Sequence, residues 1–186
     1  MAAFQICLQI WMATSLLADG LAIAGQAIIA SEFAKKDYKK VIESASRVLQ
    51  LGLILGLVLS LLLLSLLPFG SKLFTNDKHV LQLIGIGIPY VAATQPINAL
   101  AFVFDGINYG ASDFTYSAYS MIMVALVSIL SLYVLSSSFG FTGIWIALSI
   151  YMALRIFAGF WRIGTASGPW SFLTENPFAP VIPCCY

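Results

Sequence analysis

Several polar side chains lie inside long apolar stretches of this sequence, and their types are the ones that could do chemistry there. A polar group in hydrocarbon is costly unless it is paired, so such residues normally face a bundle interior or a water-filled cavity. Acids, amides and a guanidinium at that depth can carry a proton, hold a cation or bind a polar solute. The candidates for such a pathway are Asp19, Gln26, Gln95, Asn98, Asp105 and Arg155.

Asp19 stands in the middle of the apolar run SLLADGLAIAGQAIIA. With a rise of about 1.5 Å per helical residue, it lies ~18 Å from the helix end expected at Ser31, close to the middle of a bilayer. Glycine and alanine surround it, so another helix or a water-filled space can approach closely. Asp19 is therefore either a carrier of a proton or cation, or a hydrogen-bonding link to a neighbouring helix.

The third apolar stretch, GIPYVAATQPINALAFVFDG, contains Pro89 and Pro96. Each proline removes a backbone donor and frees a carbonyl one turn earlier, which a membrane tolerates only where protein or water satisfies that carbonyl. We therefore expect a broken helix, with Gln95 and Asn98 at the break as the wall of a cavity or part of a hinge. The alternative is a simple packing kink.

Asp105 and Arg155 each allow more than one interpretation. Asp105 precedes a glycine near the end of its stretch, so it is either a helix-end residue or a second acid in the pathway. Arg155 lies about two helical turns, or ~10 Å, inward of Arg162. It could extend its guanidinium to the headgroups, pair with Asp105 at a similar depth, or contact an anionic substrate.

The composition requires a membrane around these residues. Hydrophobic residues make up 60% of the 186-residue chain, charged residues only 9%, and the mean hydropathy is +0.94. These values exclude a nucleic-acid-binding surface, and the three cysteines have no metal-ligand spacing. We predict an all-α bundle of five transmembrane helices followed by a cytosolic tail at 164–186. The predicted helices are about 4–31, 47–69, 80–104, 115–136 and 141–163.

The basic residues predict the orientation of the bundle, because cytoplasmic loops are enriched in Lys and Arg. The connection between the first two helices carries most of them, and the opposite face receives only Lys72 and Lys78. We expect the basic face to be cytosolic; a lipid-headgroup site in KKDYKK is the alternative. The residues on that face are Lys35, Lys36, Lys39, Lys40, Arg47 and Arg162.

Two further expectations concern the surface of the bundle. Tryptophans near predicted helix ends are typical of an aromatic belt at the membrane interfaces, and we expect this role for Trp11, Trp145, Trp161 and Trp170. The second helix, LQLGLILGLVLSLLLLSLL, has few groups that could do chemistry, so we expect it to face lipid.

Long blocks of the chain resemble plant members of the multidrug and toxic compound extrusion (MATE) family. The similarity covers nearly all of residues 1–173, and within the family it is strongest to the citrate-exporting branch. The blocks that carry it are SLLADGLAIAGQAIIA with FAKKDYKK, GIPYVAATQPINALAFVFDGINYGASD and GFTGIWIALSIYMALRIFAGFWRIGTASGPW.

The resemblance implies a twelve-helix secondary transporter of two lobes that exports organic solutes, xenobiotics or citrate, in exchange for H⁺ or Na⁺, and that needs no other cofactor. The five helices would be the eighth to twelfth, so the missing first lobe is a partner, along with the lipid bilayer and the substrate. Where some prokaryotic relatives have a cation-coupling acid, this sequence has Asn98. The expected membrane is the plasma membrane, with the plastid envelope and vacuole as alternatives.

Other classes of function remain alternatives. A truncated, non-transporting fragment or a regulatory subunit fits the incomplete bundle. An intramembrane aspartyl protease is disfavoured, because Asp19 in LADGLA and Asp105 in VFDGIN do not match the paired motifs of presenilin-like enzymes. A channel is disfavoured because the acids do not form a ring-lining pattern. We therefore expect a transporter component and not an enzyme.

Overall fold

The protein is all-α in the part of the chain that the structure describes. A computed structural model describes residues 2–74 and 78–175, so most of the predicted tail, 176–186, lies outside the described residues. In chain order the helices are α1 (Ala2–Ala34), α2 (Tyr38–Phe74), α3 (Lys78–Ala93), α4 (Gln95–Gly110) and α5 (Phe114–Gly164). A 3-10 turn at Gly168–Trp170 and the short α6 (Phe172–Glu175) follow. The predicted fold class is confirmed.

Helices α1, α2 and α5 are long and apolar enough to cross a membrane, and α3 and α4 meet the same criteria together as one bent pair. The pair bends by 43° at Thr94, between Pro89 inside α3 and Pro96 at the start of α4. The broken third helix that the two prolines predict is therefore present. It continues to Gly110, so most of the segment between the predicted helices 80–104 and 115–136 is helical.

Helix α5 folds back on itself at Gly140. This residue has φ 56° and ψ −125°, a conformation that only glycine adopts readily. A Cβ added at Gly143 would collide with the carbonyl oxygen of Leu135, so the chain reverses sharply here. At the other end, the Tyr116 hydroxyl donates to the Ala158 carbonyl at 2.8 Å. The two arms, 114–139 and 141–164, thus run antiparallel and correspond to the predicted helices 115–136 and 141–163.

The turns that follow α1 and α4 have the same geometry. Lys36 and Ser112 are left-handed, with φ 57° and 60°. The next residue, Asp37 or Asp113, donates its backbone N–H to a carbonyl five residues earlier, at 3.1 Å in both turns. This is the Schellman arrangement, which ends a helix and lets the next begin at once. Hydrogen bonds from Lys40 lower the pKa of Asp37, which caps α2.

These turns meet the segment after α5 at one end of the bundle. Arg162 donates to both carboxylate oxygens of Asp113, at 2.5 and 3.1 Å. The ring of Trp170 packs edge-on against Phe33, with centroids 5.6 Å apart. The basic residues around both turns therefore share one face, as the sequence predicts, and the beginning of the predicted tail is packed into the bundle.

Two buried clusters form the core, one at each end. The cluster at the basic face joins α1, α2, α4 and α5 around Ile29, Val41 and Ile107, and includes Trp170. The opposite cluster surrounds Trp145 with side chains of α1, α2 and α3. Trp145 and Trp170 are buried, so the expectation that they belong to an interfacial belt is wrong. Their rings instead pack against neighbouring phenylalanine rings inside the bundle.

Helix α2 is only partly lipid-facing. One stripe of its side chains packs inward, and the intervening leucines are exposed. The stripe has the three- and four-residue spacing of a helix face that contacts other helices. Its buried members are Val41, Ala45, Val48, Gly52, Gly56, Leu59 and Leu63.

Candidate functional site

A polar cleft of about 200 Å³ lies between α1, α4 and both arms of α5. It contains four of the six residues selected from the sequence, on three different elements. They are Asp19 and Gln26 of α1, Asp105 of α4 and Arg155 of α5. The remaining lining residues are Ala22, Ile23, Phe102, Gly106, Tyr109 and Met121.

Helix periodicity brings these side chains together. Asp19 and Gln26 are two turns apart on α1, so they lie on the same face. Asp105 and Tyr109 are one turn apart on α4 and face the same space. Tyr109 was not among the residues selected from the sequence. Its spacing of four from Asp105 is the signal that could have identified it.

Arg155 pairs with Asp105. Its Nε donates to Asp105 Oδ2 at 3.0 Å, and Nη2 contacts the same oxygen in a second, close interaction. The guanidinium also lies 4.8 Å from the Phe102 ring centroid and 5.5 Å from that of Tyr151. Both charged side chains are largely removed from solvent, with exposures of 8% and 16%. Of the three interpretations of Arg155, the structure therefore selects pairing with Asp105.

Asp19 stands apart from this pair. Within residues 2–74 and 78–175, no side chain or backbone group forms a hydrogen bond or ion pair with its carboxylate. Its side chain is only partly buried, at the wall of the cleft. A hydrogen-bonded link between helices is therefore not what Asp19 provides here. With Asp105 balanced by Arg155, the cleft carries one unbalanced carboxylate.

Gln95 and Asn98 lie elsewhere, beside the bend between α3 and α4. Gln95 Nε2 donates to the Val91 carbonyl at 3.1 Å, and Asn98 Nδ2 donates to Ser15 Oγ at 2.7 Å. Both side chains are fully buried and neither lines the cleft. Across the bend, a Cβ at Gly56 would lie 2.5 Å from Pro96 Cα, so the α2 backbone packs directly on it. Their geometry is that of groups that stabilise a bent helix.

A second ion pair, absent from the residues selected from the sequence, lies closer to the end of the bundle with the basic face. Arg162 binds Asp113 through two nitrogens and donates through Nη1 to Ser167 Oγ at 3.0 Å. Its guanidinium also lies 4.5 Å from the Tyr116 ring centroid. The spacing of seven between Arg155 and Arg162, two turns on one helix face, is the signal that could have indicated two successive pairs to α4 and its turn.

The described residues offer no site built for a transition metal. Within 2–74 and 78–175, no three His, Cys, Asp or Glu side chains come together. The cleft instead combines carboxylate, amide and phenol oxygens, which suit a proton or a hard monovalent cation.

The family model named MatE matches residues 1–134 of this sequence, which is most of the chain. The chain belongs to the MatE family. The match spans α1 to α4 and nearly all of the first arm of α5, so it includes Asp19, Gln26 and Asp105. The second arm, with Arg155, lies beyond it.

Curated relatives extend the similarity of this MatE chain over both arms. It is 68% identical over 173 residues to Protein DETOXIFICATION 42 of Arabidopsis thaliana, covering 93% of this chain and 34% of that protein. Protein DETOXIFICATION 43 of the same plant is 60% identical over the same length, with 93% and 33% covered. Its Protein DETOXIFICATION 44, chloroplastic, is 48% identical over 181 residues, with 97% and 34% covered.

The MatE chain therefore spans about a third of the length of the curated relatives that it matches. No solved structure matches it significantly. The bundle of α1 to α5 is a multi-pass membrane unit of a plant MATE protein.

Proposed function

We propose that this chain forms part of the second lobe of a secondary transporter, in which the cleft binds a coupling cation that is exchanged for an exported organic solute. The observation that carries the proposal is the unpaired carboxylate of Asp19 beside the balanced Asp105–Arg155 pair. An isolated acid at this depth is costly, and a function that uses it explains why it is there. Family membership supports a transporter and not an enzyme.

The charges of the cleft favour a cation over an anion. Asp19 and Asp105 supply two negative charges and Arg155 one positive charge, which leaves an excess of one negative charge. A proton on Asp19 would remove that excess. A sodium ion would do the same, with the amide oxygen of Gln26 and the hydroxyl of Tyr109 as further oxygen ligands on the same walls.

The exported substrate is proposed from the family. The names of the relatives support a toxic solute, and the resemblance of the sequence blocks supports an organic one such as citrate. Citrate is a trianion, and Arg155, the cation that lines the cleft, is already bound by Asp105. We therefore propose that the cleft serves the coupling cation, and that any organic anion binds where the missing two thirds of the transporter meet this lobe.

The location is proposed on the same basis. The names of DETOXIFICATION 44 and 45 include the word chloroplastic, whereas those of 42 and 43, which share more identity with this chain, do not. The plasma membrane is proposed with the family resemblance, and the names of 44 and 45 keep the plastid envelope as the alternative. A fluorescent fusion imaged against plasma-membrane, plastid and vacuolar markers tests it.

The second candidate function is that of a non-transporting fragment. The observation that favours it is the coverage of about a third of each relative. The test compares two proteins in oocytes: this chain alone, and a chimera in which its 173 matched residues replace the corresponding segment of DETOXIFICATION 42. We expect efflux of labelled citrate or a cationic drug from the chimera only. Efflux from this chain alone would show that the short bundle is sufficient.

The cation-binding proposal is tested by Asp19→Asn in the chimera. We expect gradient-driven export to fall to the level of uninjected oocytes, at unchanged protein yield, because the amide binds neither a proton nor sodium as the carboxylate does. Imposing a proton or a sodium gradient separately identifies the ion. The control is Asp37→Asn, which changes an acid in the exposed first turn and should leave export intact. Unchanged pH- and sodium-dependent export by Asp19→Asn would overturn the proposal.

A further inference from the structure

Two glycines of α4 allow its backbone to touch that of α1 beside the cleft. A Cβ added at Gly106 would lie 2.6 Å from the carbonyl oxygen of Ala22. One added at Gly110 would lie 2.9 Å from the carbonyl oxygen of Gln26 and 2.9 Å from Cβ of Ile29. Half of the nearest atoms are backbone atoms and the others are Cβ atoms or a γ-carbon bonded to one, so none is the far end of a long side chain that could rotate away. Any larger residue must therefore separate the two helices.

The two glycines lie next to residues that line the cleft. Gly106 and Gly110 each follow a cleft residue of α4, namely Asp105 and Tyr109. On α1, the carbonyls that they touch belong to Ala22 and Gln26, which also line the cleft. The distance between the α4 residues of the cleft and Asp19 is therefore set where these backbones meet.

We propose that Gly106 and Gly110 are positioning residues, which hold the Asp105–Arg155 pair and Tyr109 close to Asp19 and so set the conditions under which Asp19 binds its cation. The proposal rests on the proposed role of Asp19. In this proposal the glycines do more than allow the two helices to pack. Replacing them changes transport because it changes the geometry of the cleft.

The groups that face Asp19 show how the effect would arise. Asp105 and Tyr109 come from α4 and Arg155 from α5, whereas the described residues of α2 and α3 contribute no ionisable side chain to the cleft. Moving α4 away from α1 takes these charged and polar groups away from Asp19 and widens the cleft. The concentration of coupling cation at which export is half-maximal should then change.

Two other glycines supply matched controls. A Cβ at Gly52 of α2 would lie 2.8 Å from Cγ2 of Val103, so it is crowded against α4 to a similar degree but away from the cleft. A Cβ at Gly85 of α3 meets no atom within 4 Å. Gly52→Ala therefore reports the effect of crowding alone, and Gly85→Ala the effect of an added methyl in open space.

The experiment measures export by the chimera as a function of pH, and of sodium concentration if sodium is the coupling ion, together with its thermal unfolding temperature. We expect Gly106→Ala and Gly110→Ala to shift the pH or sodium midpoint, Gly52→Ala to lower the unfolding temperature without that shift, and Gly85→Ala to do neither. If Gly106→Ala yields no folded protein, Gly110→Ala, whose contacts are longer, provides the measurement.

Folded Gly106→Ala and Gly110→Ala proteins with the midpoint of the unaltered chimera would overturn the proposal. A midpoint shift of equal size in Gly52→Ala would also overturn it, since crowding anywhere on α4 would then suffice. The Asp19→Asn variant distinguishes a failure of positioning by the glycines from a failure of cation binding by Asp19. If that variant loses coupling while the glycine variants keep their midpoint, cation binding by Asp19 stands and positioning by the glycines fails.

Discussion

At the scale of single residues, the pairing of Arg155 with Asp105 changes what the arginine can do. A guanidinium that donates to a carboxylate in a largely buried position is not available to a substrate anion unless that pair opens. The alternatives that the sequence left open, reaching the headgroups or binding an anion, both require a free side chain. Arg155 is therefore better regarded as the hydrogen-bonding partner of Asp105 within the bundle.

This pairing predicts a specific pattern of stability. Arg155→Gln or Asp105→Asn alone should destabilise the chimera by about 3 to 5 kcal/mol, because each leaves one buried charge without its partner. The double change should recover most of the loss, since both groups are then neutral. Thermal unfolding in detergent and protein yield are the measurements.

A control comes from the exposed pair of Arg47 and Glu43 on α2, whose side chains are 72% and 56% exposed. Arg47→Gln should change stability little, because water screens such a pair. If the double variant at 105 and 155 were as unstable as the single ones, pairing would not be the reason for the loss. A loss of citrate export alone, at normal stability, would instead favour a direct role of Arg155 in an anion pathway.

At the scale of elements, the reversal of α5 depends on one backbone conformation. Gly140 has φ 56° and ψ −125°, and nothing within 4 Å would obstruct a Cβ there. Glycine is therefore required here by the backbone conformation and not by crowding from neighbouring atoms. Without this turn, α5 would continue as a single helix of 51 residues, far longer than a bilayer requires.

Gly140→Ala should accordingly cost about 1 to 3 kcal/mol, the usual range for a residue held in a sparsely populated region of φ and ψ. The unfolding temperature of the chimera should fall. Gly164→Ala is the comparison, because it also has open space around it but an ordinary backbone conformation. Equal effects of the two substitutions would show that the turn tolerates a side chain.

At the scale of the whole molecule, three turns at one end of the bundle predict its orientation. The turns at Lys36 and Ser112 and the segment after Arg162 lie together, while Gly140 is at the far end of both arms. In a membrane the first three should therefore be cytosolic and the α5 turn on the opposite side. Asn76, in the connection expected on that opposite side, lies outside the described residues.

Cysteine labelling tests this topology. In a chimera whose native cysteines are replaced by serine, cysteines at Lys36 and Ser112 should react with a membrane-impermeant reagent only from the cytosolic side, and a cysteine at Ser138 only from the other side. All three positions are exposed. Labelling of Ser112 and Ser138 from the same side would contradict the antiparallel arrangement of α5, and labelling of Lys36 from outside would contradict the orientation.

The sequence by itself determined the class of protein and most of its crossings. Length and hydropathy of a segment decide whether it can span a bilayer, because a bilayer supplies no partners for backbone groups and so requires helices. The clustering of Lys and Arg in the first turn predicted the basic face, because cytoplasmic loops are enriched in these residues. The break at Pro96 was predictable too, since proline lacks the N–H that a helix needs at that position.

Only the tertiary structure decided which polar residues share a site. Asp19, Gln26, Asp105 and Arg155 converge because α1 and α4 cross at Gly106, whereas Gln95 and Asn98, equally polar and on the same helix as Asp105, turn toward Val91 and Ser15. The hydropathy of a residue shows that it must avoid lipid but not which neighbour it meets. That choice depends on crossing angle and rotation of each helix, which side chains distant in sequence fix by packing together.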